Sequence, residues 1–175
     1  MQLVEEIVTR QAEMQAIRRD IHAYPELGFK EFRTADLIAE KLAEWGIPCD
    51  RGLGGTGVVG IVKTGTSTRA IGLRADIDAL PITELNKFAH ASRHEGRMHA
   101  CGHDGHTAML LGAAKYLCET RNFDGTVLVI FQPAEEGGGG GREMVADGIM
   151  ERWNVTEVYG MHNWPGRPVG TFSIR

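Results

Sequence analysis

Residues 126–131 read Thr-Val-Leu-Val-Ile-Phe, and Gln132-Pro133-Ala134-Glu135-Glu136 follows directly. A short, continuous apolar run that is rich in β-branched residues is typical of a strand buried within a sheet. This strand should end where the polar, glycine-filled turn begins. Because open α/β sheets place their functional sites at the carboxyl ends of strands, the two glutamates become the first candidate site residues.

Outward from this strand, apolar periodicity and β-branched runs predict an alternation of helices and strands. Helices are predicted at 3–21, 32–45 and 109–117, with Asp104 as the expected N-cap of the third. Further strands are predicted at 58–62, 71–73, 155–161 and 169–174. Such an alternation predicts an α/β fold, a three-layer arrangement with helices on both faces of one sheet. Residues 76–103 lack periodicity and indicate a long loop, which is often functional in a compact domain.

Composition narrows the classes of function. The 175 residues carry a net charge of -4, and Lys and Arg are scattered, so the sequence does not favour nucleic-acid binding. No apolar run reaches the roughly 18 residues of a membrane span. The N-terminus, MQLVEEIVTR, lacks the basic start and apolar run of a signal peptide, so we expect a cytoplasmic protein. The chain ends at Arg175, directly after a predicted strand, which favours a piece of a longer protein.

The three cysteines, Cys49, Cys101 and Cys118, are an odd number and form no Cys-x-x-Cys pair. In a reducing compartment, each is expected to be a free thiol or a metal ligand rather than half of a disulfide. Cys118 lies at a helical position and is expected to be a small core residue.

The histidines concentrate in the segment Met98-His-Ala-Cys-Gly-His-Asp-Gly-His106. The Cys101 sulfur and the His103 imidazole, two residues apart on a loop, can face one ion, and this donor pair suits zinc and similar first-row metals. The positive end of the following helix should favour the thiolate form of Cys101. His99 and His106 stay open: His106 could orient a ligand or contact substrate. His90 and His94 are interpreted as polar surface residues.

The adjacent carboxylates of Glu135 and Glu136 repel each other unless a cation is near. A metal would resolve this, with one carboxylate binding the ion and the other acting on its water. The alternative is a solvated acidic turn, but the five glycines at 137–141 would let the backbone pass close to a ligand. His162, at the end of a predicted strand, is a third candidate ligand.

One glycine motif needs a separate interpretation. Residues 55–60, Gly-Thr-Gly-Val-Val-Gly, fit the dinucleotide pattern G-x-G-x-x-G. That fingerprint must follow a strand and open a helix, whereas here the glycines precede a β-branched run that predicts a strand.

Five motifs give the chain a family resemblance. It resembles the bacterial hippurate hydrolase and N-acyl-amino-acid amidohydrolase family, which includes plant auxin-conjugate hydrolases and is related to aminoacylases and carboxypeptidase-type zinc peptidases. The motifs are Arg19–His22 with Pro25–Gly28, Leu73–Pro81, Met98–His106, Gln132–Gly137 and Gly160–Pro165.

The resemblance implies a partial zinc-exopeptidase-like catalytic domain over residues 1–175. A lid (dimerisation) domain, the rest of the catalytic domain and one further histidine ligand would belong to the missing half. It also implies that Glu135 is the general base and that Asp76 and Asp78 are structural or support the ligands. The implied metal ligands are Cys101, His103, Glu136 and His162.

The expected activity is metal-dependent cleavage of the amide bond of hippurate-like N-acyl amino acids. One or two divalent ions are expected, with zinc or manganese first and cobalt or nickel as further candidates. The substrate would be a small molecule, with no nucleic-acid or membrane partner, and a homodimer is expected only for the complete protein. Two alternatives stay open: an inactive metal-binding fragment of such an enzyme, and a dinucleotide-binding oxidoreductase that rests on Gly55–Gly60.

Overall fold

A computed structural model describes residues 4–174 and contains one mixed sheet flanked by helices. The helices are α1 (Glu5–Val8), α2 (Gln11–Ala23), α3 (Phe32–Glu44), α4 (His103–Thr120), α5 (Gly140–Ala146) and α6 (Ile149–Arg152). The strands are β1 (Cys49–Leu53), β2 (Gly57–Thr64), β3 (Ala70–Asp76), β4 (Gly125–Gln132) and β5 (Val155–Gly160). The sheet order is β1-β2-β4-β3-β5.

The central strand β4 belongs to both cores of the molecule. Val129 and Phe131 point to the face covered by α2, α3 and α4, whereas Leu128 and Ile130 point to the face covered by α5 and α6. Successive side chains of a strand face opposite sides, so a continuous apolar run is required where both faces are covered. The predicted three-layer α/β fold is confirmed.

The strand directions decide where the functional end of the sheet lies. Strand β3 runs parallel to both β4 and β5, so the carboxyl ends of these three strands lie at one edge. On the other side of β4, strand β2 pairs antiparallel with β4, and β1 pairs antiparallel with β2. The sequence did not predict β1, α5 or α6, because these elements are short and rich in glycine or charged residues.

The first predicted helix and the last predicted strand differ from the structure. The first helix is divided into α1 and α2; Ile17 and Ile21 are buried on α2, whereas Ile7 on α1 is exposed. Leu3 lies outside the described residues. The strand predicted at 169–174 is wrong: within residues 4–174 this segment pairs with no strand, and Val169 and Ile174 are fully exposed. A β-branched composition alone cannot form a strand, because a strand needs a neighbour to satisfy its backbone hydrogen bonds.

Helix α4 begins earlier than predicted. Its N-cap is Gly102, so Asp104 lies inside the first turn and the predicted Asp104 cap is wrong. Gly102 has φ +90, and a Cβ there would lie 2.3 Å from the side-chain oxygen of Asn163. Only glycine therefore fits both the left-handed conformation and the close approach.

Three further predictions are confirmed. Residues 77–102 form the predicted long loop, with isolated bridges at Leu27–Ala79 and Leu80–Met98. The three cysteines are free thiols, and Cys118 packs against the core. Of the glycines at 55–60, Gly55 precedes β2 and Gly57 and Gly60 lie within it, and none opens a helix, so they lack the context of a dinucleotide fingerprint. Among the described residues, no helix combines the length and apolarity required to cross a membrane.

The fold predicts a large cost for truncating the centre of β4. Phe131 is fully buried, so Phe131→Ala should lower the free energy of unfolding by about 3–5 kcal/mol through lost burial and a residual cavity. Phe172, which is 66% exposed, is the matched control, and Phe172→Ala should change it by less than about 0.5 kcal/mol. Urea unfolding monitored by circular dichroism measures both; equal effects would contradict the placement of β4 at the core.

Candidate metal centre

Four segments meet at the carboxyl edge of the parallel strands. Asp76 ends β3 and Asp78 lies just after it. Residues 101–106 lead into α4 and form its first turn, Glu135 and Glu136 follow β4, and His162 follows β5. All four candidate ligands from the sequence lie here, together with Glu135. This is the edge at which α/β sheets place ligands, because strand ends and helix N-termini leave polar groups free there.

His103 occupies the middle of the site and is completely buried. Its Nδ1–H donates to the Asp78 backbone oxygen at 2.9 Å and faces an Asp78 carboxylate oxygen at 3.2 Å. In the neutral ring this contact places the proton on Nδ1 and leaves the lone pair on Nε2. Among the described residues Nε2 has no hydrogen-bond partner.

Carboxylate oxygens surround that free nitrogen. The His103 Nε2 atom lies 3.6 Å from Asp76, 3.7 Å from Glu136 and 4.0 Å from Glu135. Burial alone favours the neutral ring and is the strongest influence on the pKa of His103. The hydrogen bond to Asp78 and the surrounding negative charges nevertheless raise this pKa above its ordinary value. The negative charges around His103 therefore favour the binding of a cation.

The environment of Cys101 is also rich in negative charge. Its Sγ lies 3.4 Å from Nε2 of the exposed His162. Burial, followed by the neighbouring Glu136 and the charge of Asp76, raises the pKa of the Cys101 thiol to about 12. Desolvation and the neighbouring carboxylates therefore oppose the thiolate form that the helix N-terminus was expected to favour.

A left-handed turn at Ala134 brings the two glutamates to the site. Ala134 has φ +49, a conformation that costs a non-glycine residue about 1–2 kcal/mol. After it, the Glu136 backbone N–H donates to the Asp78 carboxylate at 3.0 Å. The Glu135 side chain is 40% exposed and that of Glu136 is 23% exposed, so Glu135 is the more open to solvent and substrate.

His106, whose role the sequence left open, contacts the segment that carries His162. Its Nδ1–H donates to Asp76 at 2.6 Å, and the Asn163 backbone N–H donates to its Nε2 at 3.2 Å. Its ring centroid lies 4.6 Å from that of His162. Arg74 donates to the other oxygen of Asp76 at 2.8 Å. These contacts favour the orienting role for His106.

The donor atoms fit a metal. Cys101, His103 and Glu136 each offer a ligand atom within 4.8 Å of the others. Asp76, His103, His106 and His162 form a second such group that shares His103. Since metal–ligand bonds to zinc are about 2.0–2.3 Å long, small movements would bring either group onto one ion. Sulfur, imidazole and carboxylate donors suit zinc and other first-row divalent metals.

A second buried polar cluster lies behind the N-terminus of α4 and was missed from the sequence. His22 donates from Nδ1 to Asp104 at 2.9 Å and from Nε2 to Glu84 at 3.1 Å. Arg18 also donates to Asp104, at 3.1 Å. The motif Arg19–His22 was visible in the sequence, but nothing in it showed which carboxylates His22 would contact.

The remaining loop histidines lie outside both donor groups. His90 stacks on Phe88 with ring centroids 4.2 Å apart, and His94 donates from Nδ1 to the Pro25 backbone oxygen at 3.1 Å. Both are partly exposed, which agrees with their interpretation as polar surface residues rather than ligands. His99 is buried, and neither of its ring nitrogens has a partner among the described residues.

The contacts of His22 predict a pH-dependent stability. The hydrogen bond with Asp104 is the main reason why the pKa of His22 lies above its ordinary 6.5. The stabilisation of the folded state by protonated His22 is therefore complete below about pH 6.5 and is lost as pH rises through the higher folded-state pKa. The stability difference between the wild type and His22→Gln should shrink from pH 6 to pH 9. Urea unfolding of metal-free protein measures it; a difference independent of pH would contradict a protonated His22.

Comparison with known proteins defines the class to which this fold and site belong. The sequence model of the family Peptidase family M20/M25/M40 matches residues 72–175, more than half of the chain. The chain therefore belongs to this family, and the resemblance inferred from the motifs is confirmed.

The similar proteins include named enzymes and a solved structure. Hippurate hydrolase of Campylobacter jejuni is 51% identical over 94% of this chain and 43% of that enzyme. N-acetyl-L-cysteine deacetylase of Bacillus subtilis is 44% identical over 95% of this chain and 40% of that enzyme. The crystal structure of Bacillus subtilis YXEP, described as a dinuclear metal binding peptidase of the M20 family, has a TM-score of 0.89 at 41% identity, covering 98% of this chain and 48% of that one. The chain thus spans less than half the length of these relatives.

Proposed function

We propose that the whole protein is a metal-dependent amidohydrolase that cleaves N-acyl amino acids. The observation that carries this proposal is the buried Nε2 of His103, which has no hydrogen-bond partner in the described part of the chain and faces the Glu135-Glu136 pair. An imidazole lone pair and two carboxylates at 3.7–4.0 Å are the donor set that a divalent cation would join.

In this proposal the ligands are Cys101, His103, Glu136 and His162, with Asp78 orienting His103. The donor group of Cys101, His103 and Glu136 supports one ion, and the dinuclear description of YXEP supports two. Zinc or manganese is the first expectation, and cobalt or nickel suit the same donors. A divalent ion bound here supplies positive charge that polarises a carbonyl and lowers the pKa of water toward neutrality.

Glu135 would act as the general base. Its carboxylate accepts a proton from the attacking water and then donates a proton to the leaving amine nitrogen, so that the amide is split into a carboxylic acid and an amine. Its greater exposure leaves room for water and substrate beside it, while Glu136 is held against Asp78 through its backbone. In this proposal the two adjacent residues take different roles because the Glu135 side chain is the more exposed of the two.

The names of several relatives support the substrate class. Hippurate hydrolase, N-acetyl-L-cysteine deacetylase and the IAA-amino acid hydrolase of Arabidopsis thaliana all refer to acyl derivatives of amino acids. The proposal is therefore a small N-acyl amino acid, with the acyl group unspecified. A homodimer and a lid domain are proposed only for the complete protein, and the cytoplasmic location stays a prediction.

Metal binding is the first test. Calorimetric titration of metal-free protein with zinc and with manganese should show one or two ions per chain. The double variant Cys101→Ser, His103→Ala should lose this binding, because it removes the sulfur and the central imidazole. His94→Ala, which removes a histidine of the same loop outside the site, should bind like the wild type. Equal binding by all three proteins would place the ion elsewhere.

The general base is tested by Glu135→Gln in the complete, metal-loaded protein. The amide cannot take the proton, so the turnover number for hippurate should fall at least ~10²-fold. Metal affinity should stay within a few fold, because Glu136 and not Glu135 is the proposed ligand. Glu143→Gln, an exposed glutamate on α5, is the control and should retain activity. Near-normal turnover by Glu135→Gln would rule out this assignment.

A further inference from the structure

The turn at Ala134 is buried and closely packed against two glycines. Ala134 is 1% exposed and has φ +49. A Cβ on Gly28 would lie 3.1 Å from the Cα of Ala134, and a Cβ on Gly138 would lie 2.6 Å from its Cβ. Two glycines therefore make space for a strained alanine directly before Glu135. Such strain persists only where the surroundings hold the residue in place.

Glu31 provides the polar contact that holds this turn. It is completely buried immediately before α3, and one carboxylate oxygen accepts the Ala134 backbone N–H at 2.8 Å. The other oxygen accepts the Thr56 hydroxyl at 2.5 Å. Burial raises the pKa of Glu31, although these two hydrogen bonds oppose that shift. Hydrogen bonds offset part of the cost of burying a carboxyl group, and here one of the two goes to the residue directly before Glu135.

We propose that Glu31 is a positioning residue, whose carboxylate holds the left-handed conformation of Ala134 and thereby aims Glu135 and Glu136 at His103. This inference rests on the proposed function, which makes the turn part of a metal centre. Glu31 does not touch the donor atoms itself. It acts through one backbone N–H, and the opposite side of the turn is held by Asp78 through the Glu136 N–H.

A nearby glutamate offers a matched comparison. The Glu26 carboxylate accepts the backbone N–H groups of Arg33 and Thr34 at 3.1 and 2.8 Å, and the Thr34 hydroxyl at 2.9 Å. These contacts hold the first turn of α3 and do not reach Ala134. Loss of Glu26 should therefore affect stability and leave the metal centre intact, whereas loss of Glu31 should affect the metal centre.

The experiment is calorimetric titration of the complete, metal-free protein with zinc. Glu31→Met keeps the volume but removes both acceptors, and its zinc affinity should fall about 10–100-fold, as for other residues that orient ligands. Glu31→Gln keeps an acceptor for the Ala134 N–H and should bind zinc nearly as the wild type does. Adding Ala134→Gly to Glu31→Met should restore part of the affinity, because glycine adopts a positive φ without strain. Glu26→Met should bind zinc normally.

Each outcome decides the question. Wild-type affinity in Glu31→Met, an equal loss in Glu31→Gln, or no recovery with Ala134→Gly would overturn the role of Glu31 while leaving the proposed function intact. A wild-type protein that takes up no zinc or manganese would instead contradict the proposed function itself. If Glu31→Met does not fold by circular dichroism, Thr56→Val removes only the hydroxyl donor. It should weaken zinc binding several-fold, because the hydroxyl fixes the Glu31 carboxylate in place against the Ala134 N–H, and unchanged affinity would overturn the proposal.

Discussion

Asp78 makes the contact on which the rest of the site depends. Its side chain is 1% exposed, and its two oxygens face His103 Nδ1 and the Glu136 backbone N–H. One carboxylate thereby joins the end of β3, the first turn of α4 and the turn after β4. A buried carboxylate must satisfy its oxygens within the protein, so neither the helix nor the turn can shift without loss of a charge-assisted hydrogen bond.

The electrostatics follow from this arrangement. Asp76, Glu135 and Glu136 surround a buried imidazole, and Arg74 neutralises only one oxygen of Asp76. The pKa of the Cys101 thiol rises to about 12 in the same environment, because a thiolate would add one more negative charge to a partly desolvated cluster. A divalent ion held by these residues would reverse this balance, since it would favour deprotonated ligands and screen the carboxylates from one another. The donor set and the unfavourable charge of the metal-free site therefore point to the same chemistry.

Local pattern predicted much of the fold and of the candidate site. The apolar run of β4, the loop at 77–102 and the placement of Glu135 and Glu136 after β4 agree with the structure. The strand expected at 169–174 does not, because its composition suits a strand but no neighbouring strand pairs with it in the described chain. The partners of His22 and Glu31 lie 82 and 103 positions away in Asp104 and Ala134, and sequence spacing carries no information on such pairs.

The sequence by itself determined which chemistry is available: a Cys-x-His loop, a pair of glutamates after a buried strand and a histidine after another. Side-chain type and nearest-neighbour pattern are local properties, and these are read directly from the chain. Only the tertiary structure decided how these groups meet. The sheet order places β3 between β4 and β5, Asp78 selects the tautomer of His103, and burial among carboxylates raises the pKa of Cys101. Distance, burial and charge arise from residues far apart in sequence, so they exist only once the sheet has assembled.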